Sequence, residues 1–354
     1  VKAADVVPYL TAIRGNAWLA GQQLPSDDRT PTAAQLLDIA KPPAILGVNI
    51  PVGDNDSSSI ALNPGAQKIA TTHAQQGGLI AACMHMPNLW GSDQSIGSAW
   101  VANTNTAKPD LTSVLSGTST ARARYLRVAQ RVIDYIHALP SDAPVIFRPF
   151  HEAGGSWFVW GRDNTNPARS EAGVKALWTD LMGRVIGACP NVIPAWSGAM
   201  SWYSPILYGL TPDAQVVGAS LYLPDPTKVT FANSGDYTAL VGTGKPALLF
   251  EFGPSSNADT TPAYWDTRIL RDALAKTYPK LVGAIAWFDN NSWLRMANSP
   301  QVFADPRCVT RDRLPATAPQ PVSYVYGPSD PGIKLRSAPT ADAPVKIPVW
   351  GAGQ

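Results

Sequence analysis

Two glutamates stand in apolar runs that otherwise read as buried strand. Glu152 closes PVIFRPFHE (144–152), and Glu251 sits inside ALLFEFG (247–253). Ninety-nine residues separate them. With a βα repeat of roughly 33 residues, that spacing is three units, so both side chains are expected in one mouth, facing each other across it. Carboxylates so arranged are what hydrolysis of a glycosidic bond needs: one acid protonates the leaving oxygen, and the other serves as nucleophile or base. A gap of about 5–5.5 Å corresponds to retention through a covalent glycosyl-enzyme, and about 6.5–9.5 Å to inversion. The neighbours divide the roles. Glu251, embedded in apolar LLFEFG, needs a donor such as Arg148 or Tyr222 to stay ionised, which makes it the candidate nucleophile. Glu152, beside Trp157 and a Gly-rich turn, is expected to stay protonated through desolvation and to act as general acid. One strand-end glutamate alone reads as readily as a structural salt bridge; the pair, ringed by aromatics, does not.

The elements that must position this pair are legible as eight apolar runs: 17–24, 44–50, 79–85, 144–152, 191–198, 215–222, 247–253 and 282–289. Their continuous apolarity, rather than alternation, is the signature of strands buried on both faces of a parallel sheet. Helical periodicity lies between several of them. In 120–139, Tyr125, Val128, Val132, Ile136 and Leu139 share one face, and 170–188 does the same with Val174, Leu177, Leu181 and Val185. A third helix is expected over 264–278. Eight strands alternating with helices imply an α/β fold, a (β/α)8 barrel, whose site lies at the C-terminal strand ends. Polar or aromatic residues end nearly every run: Gln22 and Gln23, Asn49, His85, Arg148 with His151 and Glu152, Trp196 and Ser197, Ser220 and Tyr222, Glu251, then Trp287 and Asp289. The pattern breaks near residue 311. Residues 1–311 are expected to form the barrel and 312–321, rich in Pro and Ala, a linker. Residues 322–354 read either as a tail lying on the barrel or as part of an SH3-like module, through GIKLRSAPTADAPV.

Composition narrows the partners. The 354 residues carry a net charge of +2, with 45% hydrophobic and 15% charged side chains, so the chain is globular. Without a basic run there is no nucleic-acid footprint, and without an apolar stretch of about 18 residues no membrane insertion is expected. Twelve Trp outnumber eight Phe, and a flat ring with one polar edge suits the stacking of sugars. Three cysteines, Cys83, Cys189 and Cys308, allow at most one disulfide and show no metal spacing. Asp54 and Asp56 lack the rest of a calcium loop, and His73 and His137 lie in helical contexts that suit surface or packing roles. No cofactor or metal is expected. A chain that opens VKAADVVPYL without Met, with low charge and many Pro, Gly, Ser and Thr, reads as an exported protein, secreted or periplasmic, acting as a monomer.

RPFHEAGGSWFVWG (148–161) closely resembles the acid/base signature of glycoside hydrolase family 26, written RPFHEMNGSWFWWG. KPALLFEFG (245–253) resembles that family's nucleophile segment, and AGQQ (20–23) and MHMPN (84–88) resemble its first and third strand ends. The resemblance spans about residues 15 to 300. It implies a clan of retaining β-glycanases, mostly endo-β-1,4-mannanases, with β-1,3-xylanases and mixed-linkage β-glucanases as minorities. By motif it implies Glu152 as acid/base and Glu251 as nucleophile, with His151 orienting the acid and Arg148 holding the nucleophile's oxygens. It further implies Trp157 as a subsite tryptophan, Tyr222 as a donor to the nucleophile, Trp287 as a sugar platform and His85 near the non-reducing side. Asn49 and Ser220 stand where the family commonly has Asp, Met84 where Trp often precedes the histidine, and Ala153–Gly154 replace the Met-Asn after the acid. These departures bear on the sugar subsites and leave both glutamates intact. The resulting expectation is a retaining β-glycoside hydrolase acting on a polysaccharide or oligosaccharide by double displacement, endo-β-1,4-mannanase-like. Another β-glycan (β-1,3-xylan, mixed-linkage glucan, a bacterial exopolysaccharide) and a non-catalytic carbohydrate-binding barrel are the alternatives.

Overall fold

The computed structural model describes residues 2–24, 41–53, 64–101, 107–200, 205–223, 225, 227–254, 265–287, 292–293 and 295–315, with the pairs 323–324 and 335–336. Asp54, Asp56 and Asp289 lie outside the described residues, as does most of the expected linker and C-terminal segment. Eight parallel strands form a closed barrel: β1 (Trp18–Gln23), β2 (Ile45–Ile50), β3 (Leu79–Met84), β4 (Val145–Arg148), β5 (Val192–Met200), β6 (Val216–Leu223), β7 (Ala247–Pro254) and β8 (Leu281–Ala286). Each pairs with the next, and β1 closes the ring by pairing with both β2 and β8. A short β9 (Cys308–Val309) adds to the start of β1. Further on, β10 (Ser323–Tyr324) and β11 (Leu335–Arg336) make a separate antiparallel pair.

The strands are apolar throughout because both faces are covered. Residues on one face, such as Leu19, Ile45, Leu79, Ile146, Ile193, Val216, Leu248 and Val282, join into one buried cluster with Val6, Tyr9 and Leu10 of the helix Ala3–Ala12. That helix, hidden from sequence reading by its internal Pro8, therefore packs on the barrel interior. The opposite strand faces meet the outer helices. Thr120–His137 buries Tyr125, Val128, Val132 and Ile136, and Pro167–Ala188 buries Val174, Leu177, Trp178, Leu181 and Val185. Trp196 belongs to this outer layer. Its ring meets Trp178 edge-on at 6.3 Å, so it is a packing residue and does not face the mouth. His73 is fully buried, with Nε2 3.3 Å from the Ala44 carbonyl. The three cysteines are free and buried. At about 1.5–3 kcal/mol for each buried Val, Leu, Ile or Phe, these layers hold the strand ends still while polar groups are buried above them.

Strand β7 departs from strict alternation at the point that matters. Ala219 pairs with Leu249 and Ser220 with Glu251, while on the other side Leu249 pairs with Ala284 and Phe252 with Ala286. One extra residue is thus inserted in β7, a bulge at Phe250–Glu251. Period two alone sends Glu251 to the same face as Leu249, which lies in the outer cluster. Leu248 and Phe250 belong to the interior cluster, and Phe252 has rejoined the outer one. The bulge turns Glu251 inward.

Candidate active site

Glu251 is held by two donors. Arg148 Nη2 donates to its Oε1 at 2.6 Å and the Tyr222 hydroxyl to its Oε2 at 2.9 Å. Both partners of the ion pair are nearly inaccessible, at 2% and 4% side-chain exposure. A buried carboxylate with a guanidinium on one oxygen and a phenol on the other is stabilised as the anion. Arg148 reaches it from the last residue of β4, with its Cζ 5.3 Å from the centre of the Phe250 ring. Burial and the neighbouring Glu251 charge hold the Tyr222 hydroxyl well above the ordinary phenol range, so it stays a donor.

Glu152 is held by a different kind of structure. Strand β4 stops at Arg148, four residues short of the expected strand end. Glu152 therefore lies in a turn, with Phe150 and Glu152 at φ of 54° and 56°. Left-handed backbone at non-glycine residues costs on the order of 1–3 kcal/mol each and persists only where the surroundings over-determine it. Here Glu152 N–H donates to Ser197 O at 2.7 Å and Gly154 N–H to Gly198 O at 2.6 Å, which ties the turn to β5. The buried Trp160 indole donates to His151 O at 3.0 Å from the other side. The Trp157 indole donates to Glu152 Oε2 at 3.1 Å. This contact explains one glycine: a Cβ on Gly155 would lie 2.1 Å from the Trp157 ring. Burial, and then the charge of Glu251, push the Glu152 carboxyl up to about 8, against smaller opposing effects from Ser220, Arg148 and Trp157.

The remaining mouth residues fall into two groups. His85, on the segment just after β3, has Nδ1 3.1 Å from Asn49 Oδ1, so Nδ1 carries the proton. Its ring meets His151 edge-on at 4.8 Å and stacks on Trp100 at 4.7 Å and 19°. Burial, with the nearby Arg148 charge, lowers His85 to about 3 and holds His151 well below the ordinary range, so both rings are neutral at working pH. On the opposite side, Trp287 follows β8 and is partly buried, its N–H donating to Phe252 O at 3.1 Å. Gln22 faces this seam: its Nε2 donates to Trp287 O at 2.9 Å, and its Oε1 accepts from Trp293 N–H at 3.0 Å. Ser220 pairs in register with Glu251. Its hydroxyl stands beside the Glu152 carboxyl, while Ser197 Oγ, His151 Nδ1 and Arg148 Nη1 are buried without a protein partner in hydrogen-bond geometry among the described residues. A sugar hydroxyl is the kind of group that satisfies such atoms.

Trp100 was not legible as a site residue. It is 49% exposed, the most exposed of the large apolar side chains described. Its segment pairs with the turn after Glu152: Val101 N–H donates to Trp157 O at 2.8 Å and Val159 N–H to Ala99 O at 2.9 Å. The only available signal was an aromatic in a long loop. Among the described residues no group of three or more His, Cys, Asp or Glu is disposed to hold a metal ion. The arrangement suits acid–base and nucleophilic chemistry: one carboxyl biased to the neutral form, one to the anion, under a rim of aromatic rings.

Comparison with known proteins gives the family. The model of the family described as Glycosyl hydrolase family 26 matches residues 1–313. The chain is 27% identical over 273 residues to a mannan endo-1,4-beta-mannosidase of Thermothelomyces thermophilus, covering 74% of this chain and 52% of that protein. A Caldalkalibacillus mannanilyticus protein, mannan endo-1,4-beta-mannosidase A and B, is 24% identical, over 71% of this chain and 48% of its own. The chain thus spans about half the length of these relatives. Among solved structures, a Bacillus subtilis mannanase superposes with a TM-score of 0.69 at 21% identity, covering 87% of this chain and 92% of that one. A β-mannanase from a symbiotic protist of the termite Reticulitermes speratus gives 0.66 at 17%, covering 89% and 95%. At such identities the superpositions speak for the barrel alone.

Proposed function

The chain belongs to glycosyl hydrolase family 26, and from that premise we propose that it is a retaining endo-β-1,4-mannanase working through Glu251 and Glu152. The observation that carries the reading is the opposite treatment of the two carboxyls. Arg148 and Tyr222 hold Glu251 as an anion, whereas burial beside that anion keeps Glu152 protonated. In the first step, Glu251 attacks the anomeric carbon while Glu152 gives its proton to the leaving oxygen. The indole of Trp157 occupies Oε2 of Glu152, which leaves Oε1 to carry the proton.

The intermediate then prepares the second step. Once Glu251 is an ester its negative charge is gone, and with it the repulsion that added to burial in raising Glu152. The Glu152 carboxylate left by the first step is thereby stabilised, and it takes a proton from the water that attacks the same carbon. Two inversions give retention. Trp100, Trp157 and Trp287 supply flat faces for the sugar chain, and the names of the relatives support mannan as substrate. A polymer too large to enter a cell supports action in a secreted or periplasmic setting.

The test is hydrolysis of a panel of mannans, xylans, β-glucans and bacterial exopolysaccharides, with the anomer of the first product read by NMR. Release of β-anomeric manno-oligosaccharides of several lengths is expected. First release of the α-anomer, or full activity in Glu152→Ala or Glu251→Ala, would overturn the mechanism. Preference for another polysaccharide would move the substrate and leave the mechanism standing.

A further inference from the structure

Lys108 stands outside the ring of strand-end residues, yet it grips the segment that carries Trp157. Its Nζ donates to the carbonyls of Ser156, at 2.8 Å, and Phe158, at 2.5 Å, one on each side of that tryptophan. For two such carbonyls to converge on one ammonium, the chain must bend around it, which fixes the peptides flanking Trp157. The lysine is itself anchored. Its N–H donates to Asp163 Oδ2 at 3.2 Å, and Arg169 Nη2 bonds both Lys108 O, at 2.9 Å, and Asp163 Oδ2, at 3.0 Å. Among the described residues Lys108 makes no side-chain salt bridge, so its ammonium is directed at backbone rather than at a carboxylate. Partial burial lowers it to about 8 even against the favourable charge of Asp163.

We propose that Lys108 is a positioning residue for the acid half-reaction, holding Trp157 at the angle from which its indole donates to Glu152. The inference rests on the reading of Glu152 as general acid. It differs from a general packing role in one respect: its effect should depend on how much protonation the leaving group needs. A sugar hydroxyl needs a full proton, whereas dinitrophenolate departs without one, and kcat/KM reports only the steps through that departure.

The experiment compares mannan with dinitrophenyl β-mannobioside. Lys108→Met, which keeps the apolar stem and loses the donor, is expected to lower kcat/KM on mannan about tenfold, and on the aryl substrate by no more than about twofold. In a Trp157→Phe background the same change should cost no more than about twofold on mannan, because its route to Glu152 is already cut. Equal losses on both substrates, or full additivity with Trp157→Phe, would overturn the proposal. If Lys108→Met melts below the assay temperature, Lys108→Gln, with a shorter neutral donor, is put through the same two comparisons and judged by the same outcomes. Glu152→Ala is run alongside. Full activity in that variant defeats the reading of the site, whereas a mannan-specific loss there with a substrate-independent loss at Lys108 defeats only the positioning role.

Discussion

Glu251 sits within a strand, and Glu152 sits four residues past the end of one. The first is aimed by a bulge in a hydrogen-bonded ladder and bonded on both oxygens by side chains that β4 and β6 deliver. The second rests on a left-handed turn, is bonded at one oxygen by an indole, and is steadied by backbone bonds to β5 and by loops that hold each other. On the mechanism proposed above, rigid strands suit the group that must keep one charge and one line of attack. On the same proposal, a turn with few donors suits the group that gives up and recovers a proton, since few partners there favour the anion. The same residue type is thus given two electrostatic environments by two scaffolds.

The hardest challenge to this contrast is removal of each carboxyl. Glu251→Ala is expected to lose on the order of 10^4-fold or more in kcat on every substrate. Glu152→Ala should lose about 10^2–10^4-fold on mannan and keep most of its kcat/KM on an aryl glycoside with a good leaving group. Similar behaviour of both variants on the aryl substrate would erase the distinction between the two scaffolds.

Next comes the support of each. Arg148→Met strands a buried carboxylate and should destabilise the fold by about 3–5 kcal/mol in urea titration. Trp157→Phe removes one exchangeable donor and should cost about 0.5–1.5 kcal/mol. Equal costs would mean that the ion pair is no more embedded than the indole contact.

A pH profile sharpens the comparison further. The alkaline limb of kcat/KM should fall through about pH 8 as Glu152 loses its proton. Stability should follow a related course. The folded pKa of Glu152 stands above its value in the unfolded chain, so the unfolded state releases this proton first. Its contribution to stability is fully present below the unfolded value and is lost as pH rises through about 8. The melting temperature of Glu152→Gln, measured against wild type, should therefore rise with pH across that interval. A constant difference would show that the carboxyl is not desolvated as described. The smallest effect concerns the rim: Trp100→Ala should raise KM for mannan several-fold with kcat nearly unchanged, checked by initial rates, because an exposed platform binds ground and transition states alike.

Much of the barrel was legible, for a specific reason. Strands covered on both faces read as unbroken apolar runs, so β2, β3, β6 and β7 were found to within a residue or two, and the few polar residues interrupting them marked the mouth. The helix Ala3–Ala12 was missed because Pro8 breaks the pattern that identifies helices. The end of β4 was missed because Phe150 and Glu152 adopt backbone angles that their types seldom take, and no local signal announces them. Lys108 and Trp100 were invisible for another reason. Their contacts join two long loops, and loops carry no periodicity to place them. That Glu251 faces inward was expected from the pairing with Glu152, although alternation along β7 alone argued the opposite.

That discrepancy has a consequence for how the chain tolerates change. The inserted residue resets the phase of the pleat between the floor of the barrel and its mouth. Below it, Leu248 and Phe250 belong to the packed interior; above it, Glu251 answers to a different count. The direction of the glutamate is set by its register opposite Ser220 rather than by counting alternation up from these floor residues. Deleting Phe250 would straighten the ladder and still leave Glu251 opposite Ser220 and facing inward, at the cost of one fully buried interior ring. In this strand the register opposite β6, and not alternation counted from the floor, aims the carboxylate.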